Sequence, residues 1–278
     1  MVLRYSKVRK KPQTFLRLFG VSVSQFEAIF GKVYPVWQQK ILKHYKRPGR
    51  PHKLEVPEII LVVLLYYRSY ITQEFLGYLF GLDASQICRL IKKLEPILAQ
   101  VMALSKRKEL SQEEVGDLII DATEQPIERP KKDQKLYYSG KKKRHTLKTE
   151  VRINLQGRIV HISQSKPGSV HDFTLFKQEP PPPDHSRLFV DSGYQGIDKV
   201  HSNAEFPYKS TKNKPLDAEE KTYNFALSRL RVLAENSIGK LKVFKILSDR
   251  YRNKRKRYNL KFNIISGIVN LKGGFQTS

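Results

Sequence analysis

Apolar positions change their spacing part-way along this 278-residue chain. In the segment SVSQFEAIFGKV, Phe26, Ile29, Phe30 and Val33 recur at three- and four-residue intervals. That spacing lines one face of an α-helix, and Ser22 or Ser24 stands where an N-cap is needed. This helix reads as a lead-in without chemistry of its own. Three more helices are predicted further on, in VPEIILVVLLYYRSY, TQEFLGYLFG and DASQICRLIKKLEPILAQVM. The first of these carries the apolar run Ile59–Tyr67, which predicts a core helix, while Thr72 and Asp83 suit the N-caps of the other two and Gly81 the tight turn between them. Past Asp117 the period shortens to two, and DLIIDATE, TLKTEVRINL, RIVHISQS, RLFVDSG and EFPYKS read as strands. A short helix follows PGSVHD. A long one runs from about Asp217 to Leu247, opened by a capping box of Asp217 and Glu220, with Leu227, Leu230, Ala234, Ile238 and Leu241 as its buried stripe. Three strands with short connections, then strands separated by helices, predict an α/β fold with a mixed sheet and helices packed on it. The stretch YNLKFNIISGIVNLKGG predicts a closing amphipathic helix on that sheet.

Two breaks in the pattern, KRPGRPHKL and SKRKELSQEEVGD, divide the chain. They give a helical N-terminal segment with a basic linker over 1–50, a helical domain over 51–104, a linker over 105–116 and the sheet domain over 117–278. Two helices joined by a short Gly-containing turn have the helix-turn-helix layout, and the second would offer Ser85, Gln86, Arg89, Lys92 and Lys93 outward. A three-helix bundle with a solvated polar face has the same pattern. Charge separates the two readings: 52 Lys and Arg stand against 26 Asp and Glu, a net +26 that calls for a polyanionic partner. An anionic membrane is the competitor to DNA, but the longest apolar run is about half the roughly 20 residues that a spanning helix needs. Cys88 is the only cysteine, so an intrachain disulfide and thiolate zinc are excluded. The basic N-terminus lacks the apolar core of a secretory signal, and a cytoplasmic, nucleoid-associated location is expected if the source is prokaryotic. No GxxxxGK[ST] loop points to ATP.

The candidate chemistry lies in acids. Asp121 follows the triplet LII inside the first strand, where an unpaired carboxylate would cost several kcal/mol to bury. Asp191, in LFVDSGY, repeats the arrangement: an apolar strand, an acid at its C-terminal end, then a glycine turn. A third acid, Glu235, stands at the margin of the long helix's stripe, with Arg231 one turn before it and Lys242 two turns after. An i,i+4 ion pair between Arg231 and Glu235 is the plain alternative.

The phrases IIDATEQPIERP, YYSGKKKRHTLK, PGSVHD, LFVDSGYQG and RVLAENSIGKLKVFKIL resemble, in order and spacing, the insertion-sequence transposases of the Asp-Asp-Glu (DDE) type, in the group numbered five and its Harbinger-like relatives. The resemblance extends to the N-terminal helices. It implies a ribonuclease H-like catalytic domain preceded by an all-α helix-turn-helix domain, with Asp121, Asp191 and Glu235 as catalytic, metal-holding residues. Carboxylates without His or Cys suit Mg²⁺ or Mn²⁺, and two such ions per site would serve an in-line phosphoryl displacement. His171 and Asp172 belong to the PGSVHD phrase; Asp172 either approaches the metal or forms an S-x-x-D capping box with Ser169. Glu124 either supports the site or is a solvated strand-end acid.

Basic residues cluster beside the acids. GKKKRH places Lys141, Lys142, Lys143 and Arg144 on a hairpin after the first strand, and a second block follows Glu235, beginning near Lys242. Both suit phosphate contacts, although charge runs are also ordinary solvated surface. The function expected is a DNA transposase that binds terminal inverted repeats, cuts the strand and transfers it. Its partners would be the double-stranded DNA of transposon ends and target, with a homodimer or larger synaptic oligomer implied by the family. A catalytically silent, repressor-like DNA-binding protein and a metal-dependent repair nuclease are the alternatives.

Overall fold

The computed structural model describes residues 2–42, 53–105, 110–211 and 215–275. Its contacts group them into two compact units. One comprises residues up to Ala103 together with Lys242–Asp249 and the chain from Arg255 onward; the other comprises Leu104–Leu241 and Arg250–Lys254. Most of the predicted KRPGRPHKL break lies outside the described residues.

Helices build the first unit. After α1 (Tyr5–Val8), α2 (Pro12–Phe19) starts with proline at its first position and ends at Gly20 in a left-handed conformation. Ser22 is the cap of α3 (Val23–Trp37): its hydroxyl accepts from the Gln25 amide at 3.1 Å, and the Gln25 side chain accepts from the Ser22 amide at 2.8 Å. Phe15, Phe19, Phe26, Ile29, Val33 and Trp37 are buried, so this segment is core and not a lead-in. The helix α4 (Val56–Ser69) packs against α2, α3, α5 (Gln73–Phe80) and α6 (Ala84–Val101). Enclosure on all sides explains why Ile59–Tyr67 is apolar all the way round. Thr72 caps α5 through the Phe75 amide at 3.2 Å, and Gly81 ends it at φ 67°.

The second unit begins with α7 (Gln112–Gly116), which feeds β1 (Asp117–Pro126). Next come α8 (Gln134–Tyr137), β2 (Tyr138–Ser139), β3 (Arg144–Asn154), β4 (Ile159–Ile162) and β5 (Lys166–Pro167). The short α9 (Asp172–Lys177), β6 (Arg187–Phe189), β7 (Ala204–Glu205) and the long α10 (Ala218–Lys242) complete it, apart from the last residue of α10. The sheet is mixed, in the order β2-β3-β1-β6-β7. β3 runs antiparallel to β1, β2, β4 and β5, whereas β6 and β7 run parallel to β1. This is the ribonuclease H-like arrangement. The predicted strand EFPYKS shrinks to Ala204–Glu205, because Pro207 has no N–H to continue the ladder. On one face of the sheet Leu118, Ile120, Leu188 and Val190 bury against Phe176, Tyr194 and Ile197.

The predicted position of the closing helix needs correction. α11 (Tyr258–Lys272) belongs to the first unit, where it packs on α6 and not on the sheet. Its residues from Ile264 to Asn270 are all buried, so it needs enclosure from more than one side. Buried Lys261 meets buried Glu95 of α6 at 3.0 Å, and Arg257 meets the same carboxylate at 3.3 Å. Tyr67 donates to it as well, at 3.0 Å.

Candidate active site

Strand pairing places the first two acids. β1 and β6 are parallel neighbours with Ile119 beside Phe189 in register, so Asp121 and Asp191 lie two residues further on, at the same level of adjacent strands. Neighbouring strands are roughly 5 Å apart, and residues two apart share a face. The carboxylates therefore start side by side. Asp121 Oδ1 accepts from the Ala122 amide at 2.8 Å. Burial pushes its pKa up to about 6, and Asp191 and Asp172 push the same way, against the Ala122 amide and the Arg231 guanidinium. Asp191 caps a 3₁₀ turn over Ser192–Tyr194, where its Oδ1 accepts from the Gly193 amide at 2.7 Å.

Asp172 joins them from the start of α9. The predicted Ser169–Asp172 capping box does not form: His171, exposed, is the N-cap residue and contributes no side-chain bond, while Ser169 Oγ donates to Leu136 O at 2.6 Å. Asp172 pairs instead with buried Lys148 of β3, at 2.8 Å. Lys148 lies opposite Glu124 in the β1–β3 register and 3.7 Å from its carboxylate; Glu124 also accepts from Thr146 Oγ1 at 2.7 Å. Glu124 is thus a half-buried, paired acid and not a solvated one. A Cβ placed on Gly193 would lie 2.7 Å from Asp172 Oδ2 and 2.9 Å from Asp191 Oδ1. The glycine is what leaves those two oxygens room.

α10 contributes Arg231, whose Nη2 lies 3.8 Å from Asp191 Oδ2. Glu235 is exposed one turn further along α10. Among the described residues, no three His, Cys, Asp or Glu side chains lie close enough to hold one ion, and this includes Asp121, Asp191 and Glu235. Two cations, Arg231 and Lys148, lean on Asp191 and Asp172.

The comparisons with known proteins can be set beside this geometry. Residues 120–270 match the family described as DDE superfamily endonuclease, and residues 52–103 match the helix-turn-helix of DDE superfamily endonuclease. The "Probable transposase for insertion sequence element IS702" of Microchaete diplosiphon is 40% identical over 264 residues, which cover 92% of this chain and 93% of that protein. This chain belongs to the DDE transposase family. A more distant relative, the "Putative transposase for insertion sequence element IS112" of Streptomyces albus G, is 25% identical over 243 residues, covering 86% of this chain and 87% of its own.

DDE endonuclease chemistry uses divalent cations, and the donors here fit them. All are hard carboxylate oxygens, with no thiolate or imidazole among them. The raised pKa of Asp121 marks poorly hydrated charge, repelled by Asp191 and Asp172, that a cation would relieve, and Gly193 beside the site is exposed. In the DNA-binding part of this transposase, Ser85, Arg89 and Lys92 are exposed on α6, with Arg89 Nη2 donating to Ser85 Oγ at 3.3 Å. Gln86 departs from the prediction: its side chain folds back to accept from the Asp83 amide at 3.0 Å, closing a capping box, and Lys93 is half-buried. Lys141, Lys142 and Lys143 are exposed on the turn before β3, Arg144 is exposed at the first position of β3, and Lys242 is exposed at the end of α10. No described helix is long and apolar enough to cross a membrane.

Sequence reasoning missed Lys148, because a lysine inside TLKTEVRINL looks like the solvent-facing member of an alternating strand. Its place opposite Glu124 was the available signal.

Proposed function

We propose that this transposase recognises the terminal inverted repeats of its element through α5 and α6, and that it cuts and transfers DNA strands at Asp121, Asp191 and Glu235. One observation carries the assignment: two acids sit level on adjacent parallel strands, and Arg231 ties one of them to the helix that bears Glu235, a single turn away. Residues four apart on a helix are neighbours.

Two bound divalent ions would supply the polarisation of the scissile phosphate and the acidic water that an in-line displacement requires. Asp121 and Asp191 would hold them from the strands and Glu235 from the helix. The Ala122 and Gly193 amides each hold one oxygen of an aspartate and so set the orientation of both carboxylates. Arg231 keeps Asp191 aligned, and its positive charge suits an approaching phosphodiester. The exposed basic turn Lys141–Arg144 belongs to the same unit and adds phosphate contacts that hold the strand without reading its bases. Joining two transposon ends calls for a dimer or larger assembly on DNA.

The test uses a labelled duplex carrying one terminal repeat. Asp121→Asn, Asp191→Asn and Glu235→Gln should each reduce Mg²⁺-dependent cleavage to background and retain DNA binding in a mobility-shift assay. Undiminished cleavage by any one variant removes that residue from the site.

A further inference from the structure

We propose that Asp172 is a further metal-holding acid of this site, sharing a divalent cation with Asp191 above Gly193, and that Lys148 is the residue that positions it. The inference rests on the reading of Asp121 and Asp191 given above. An acid in the first turn of a helix needs no function, since it complements the helix dipole. Three observations take Asp172 beyond that role.

The first is that its carboxylate is aimed. Lys148 Nζ donates to Val170 O at 2.7 Å and stands between Asp172 at 2.8 Å and Glu124 at 3.7 Å, so its ammonium is fixed from three sides. Glu124 is fixed in turn by Thr146. With Oδ1 of Asp172 on Lys148, Oδ2 faces Gly193.

The second is convergence. Asp191 Oδ1, anchored on the Gly193 amide, faces the same small space from the other side. Two anionic oxygens directed at one point repel each other unless a cation lies between them or near them, and a side chain of any size at position 193 would part them. The third is Tyr194. Its ring is fully buried and its hydroxyl has no hydrogen-bond partner among the described residues; of the acids acting on it Glu150 comes first, followed by Asp172, Asp121 and Asp191. A buried polar group left unpaired beside acids fits a site completed by something outside the chain, such as a hydrated cation.

The experiment is a Mn²⁺ titration of the full chain without DNA, reading free Mn²⁺ by electron paramagnetic resonance. Asp172→Asn should weaken binding by well over tenfold, and Lys148→Met should weaken it less, by roughly tenfold as for a supporting partner. Gly193→Ala keeps every carboxylate and should nevertheless weaken binding, because its methyl presses the two oxygens apart. Should Asp172→Asn lose its fold because buried Lys148 keeps only Glu124 as a counter-charge, the double variant Asp172→Asn with Lys148→Met removes both charges and gives the same reading. Wild-type Mn²⁺ affinity in Asp172→Asn, or in that double variant, overturns the inference. If Asp121→Asn and Asp191→Asn still lose the ion in that event, the site itself stands; if they too bind normally, the site reading falls with it.

Discussion

Asp121 is half-buried against a repelling neighbour, and the consequence is a proton held more tightly in the folded chain than in the unfolded one. A carboxylate whose folded pKa is raised lends stability below its ordinary value of about 4, and that stability is lost as pH rises through about 6. Thermal melts without added metal should therefore show wild type losing stability relative to Asp121→Asn between about pH 4 and pH 7; parallel curves would refute the assignment. Mn²⁺ affinity should rise over the same interval, since the cation competes with that proton. Asp121 and Asp191 stood out in the sequence because each directly follows an apolar run, a place where burial makes an acid conspicuous. Asp172 was legible only as one of two readings, near the metal or capping its helix. Its S-x-x-D spacing is that of a helix cap, and only the distant Lys148, brought across by the β3 register, draws its carboxylate away from capping.

Among the elements, α11 depends on two contacts with α6 that can be tested separately. Glu95 is fully buried between Lys261, Arg257 and Tyr67. Glu95→Ala would strand a buried ammonium and should cost about 3–5 kcal/mol in urea denaturation, whereas Lys261→Met, which leaves Arg257 on the carboxylate, should cost less. At the other end of α11, a Cβ on Gly267 would lie 1.8 Å from Met102 O. Gly267→Ala must therefore push the helices apart, with a loss of about 1–3 kcal/mol from overpacking, measurable in the same melts. Helix periods, caps and strand runs were readable locally: Thr72, Asp83 and the Asp217–Glu220 box all do what their positions predict. Where α11 packs was not, because an apolar helix matches a sheet face and a helical groove equally well. The deciding pair, Glu95 with Lys261, joins residues whose charges look like solvated surface when each is read in its own helix.

At the scale of the molecule, the surplus of positive charge makes DNA affinity steeply salt-dependent, with log K falling by about 0.9 for every phosphate contacted per unit of log salt. Charge reversal at Lys141, Lys142 and Lys143 together should flatten that slope in fluorescence-anisotropy titrations; an unchanged slope would show the turn to be bystander surface. The route of the chain has a further effect. Because α6 is covered by a helix encoded more than a hundred residues later, a nascent chain that has just made its helix-turn-helix still shows the ribosome an open flank. Prematurely ended polypeptides, whether from nonsense codons or broken messages, should be cleared by proteases before they can occupy DNA sites. Only a chain translated through to α11 would then compete for those sites.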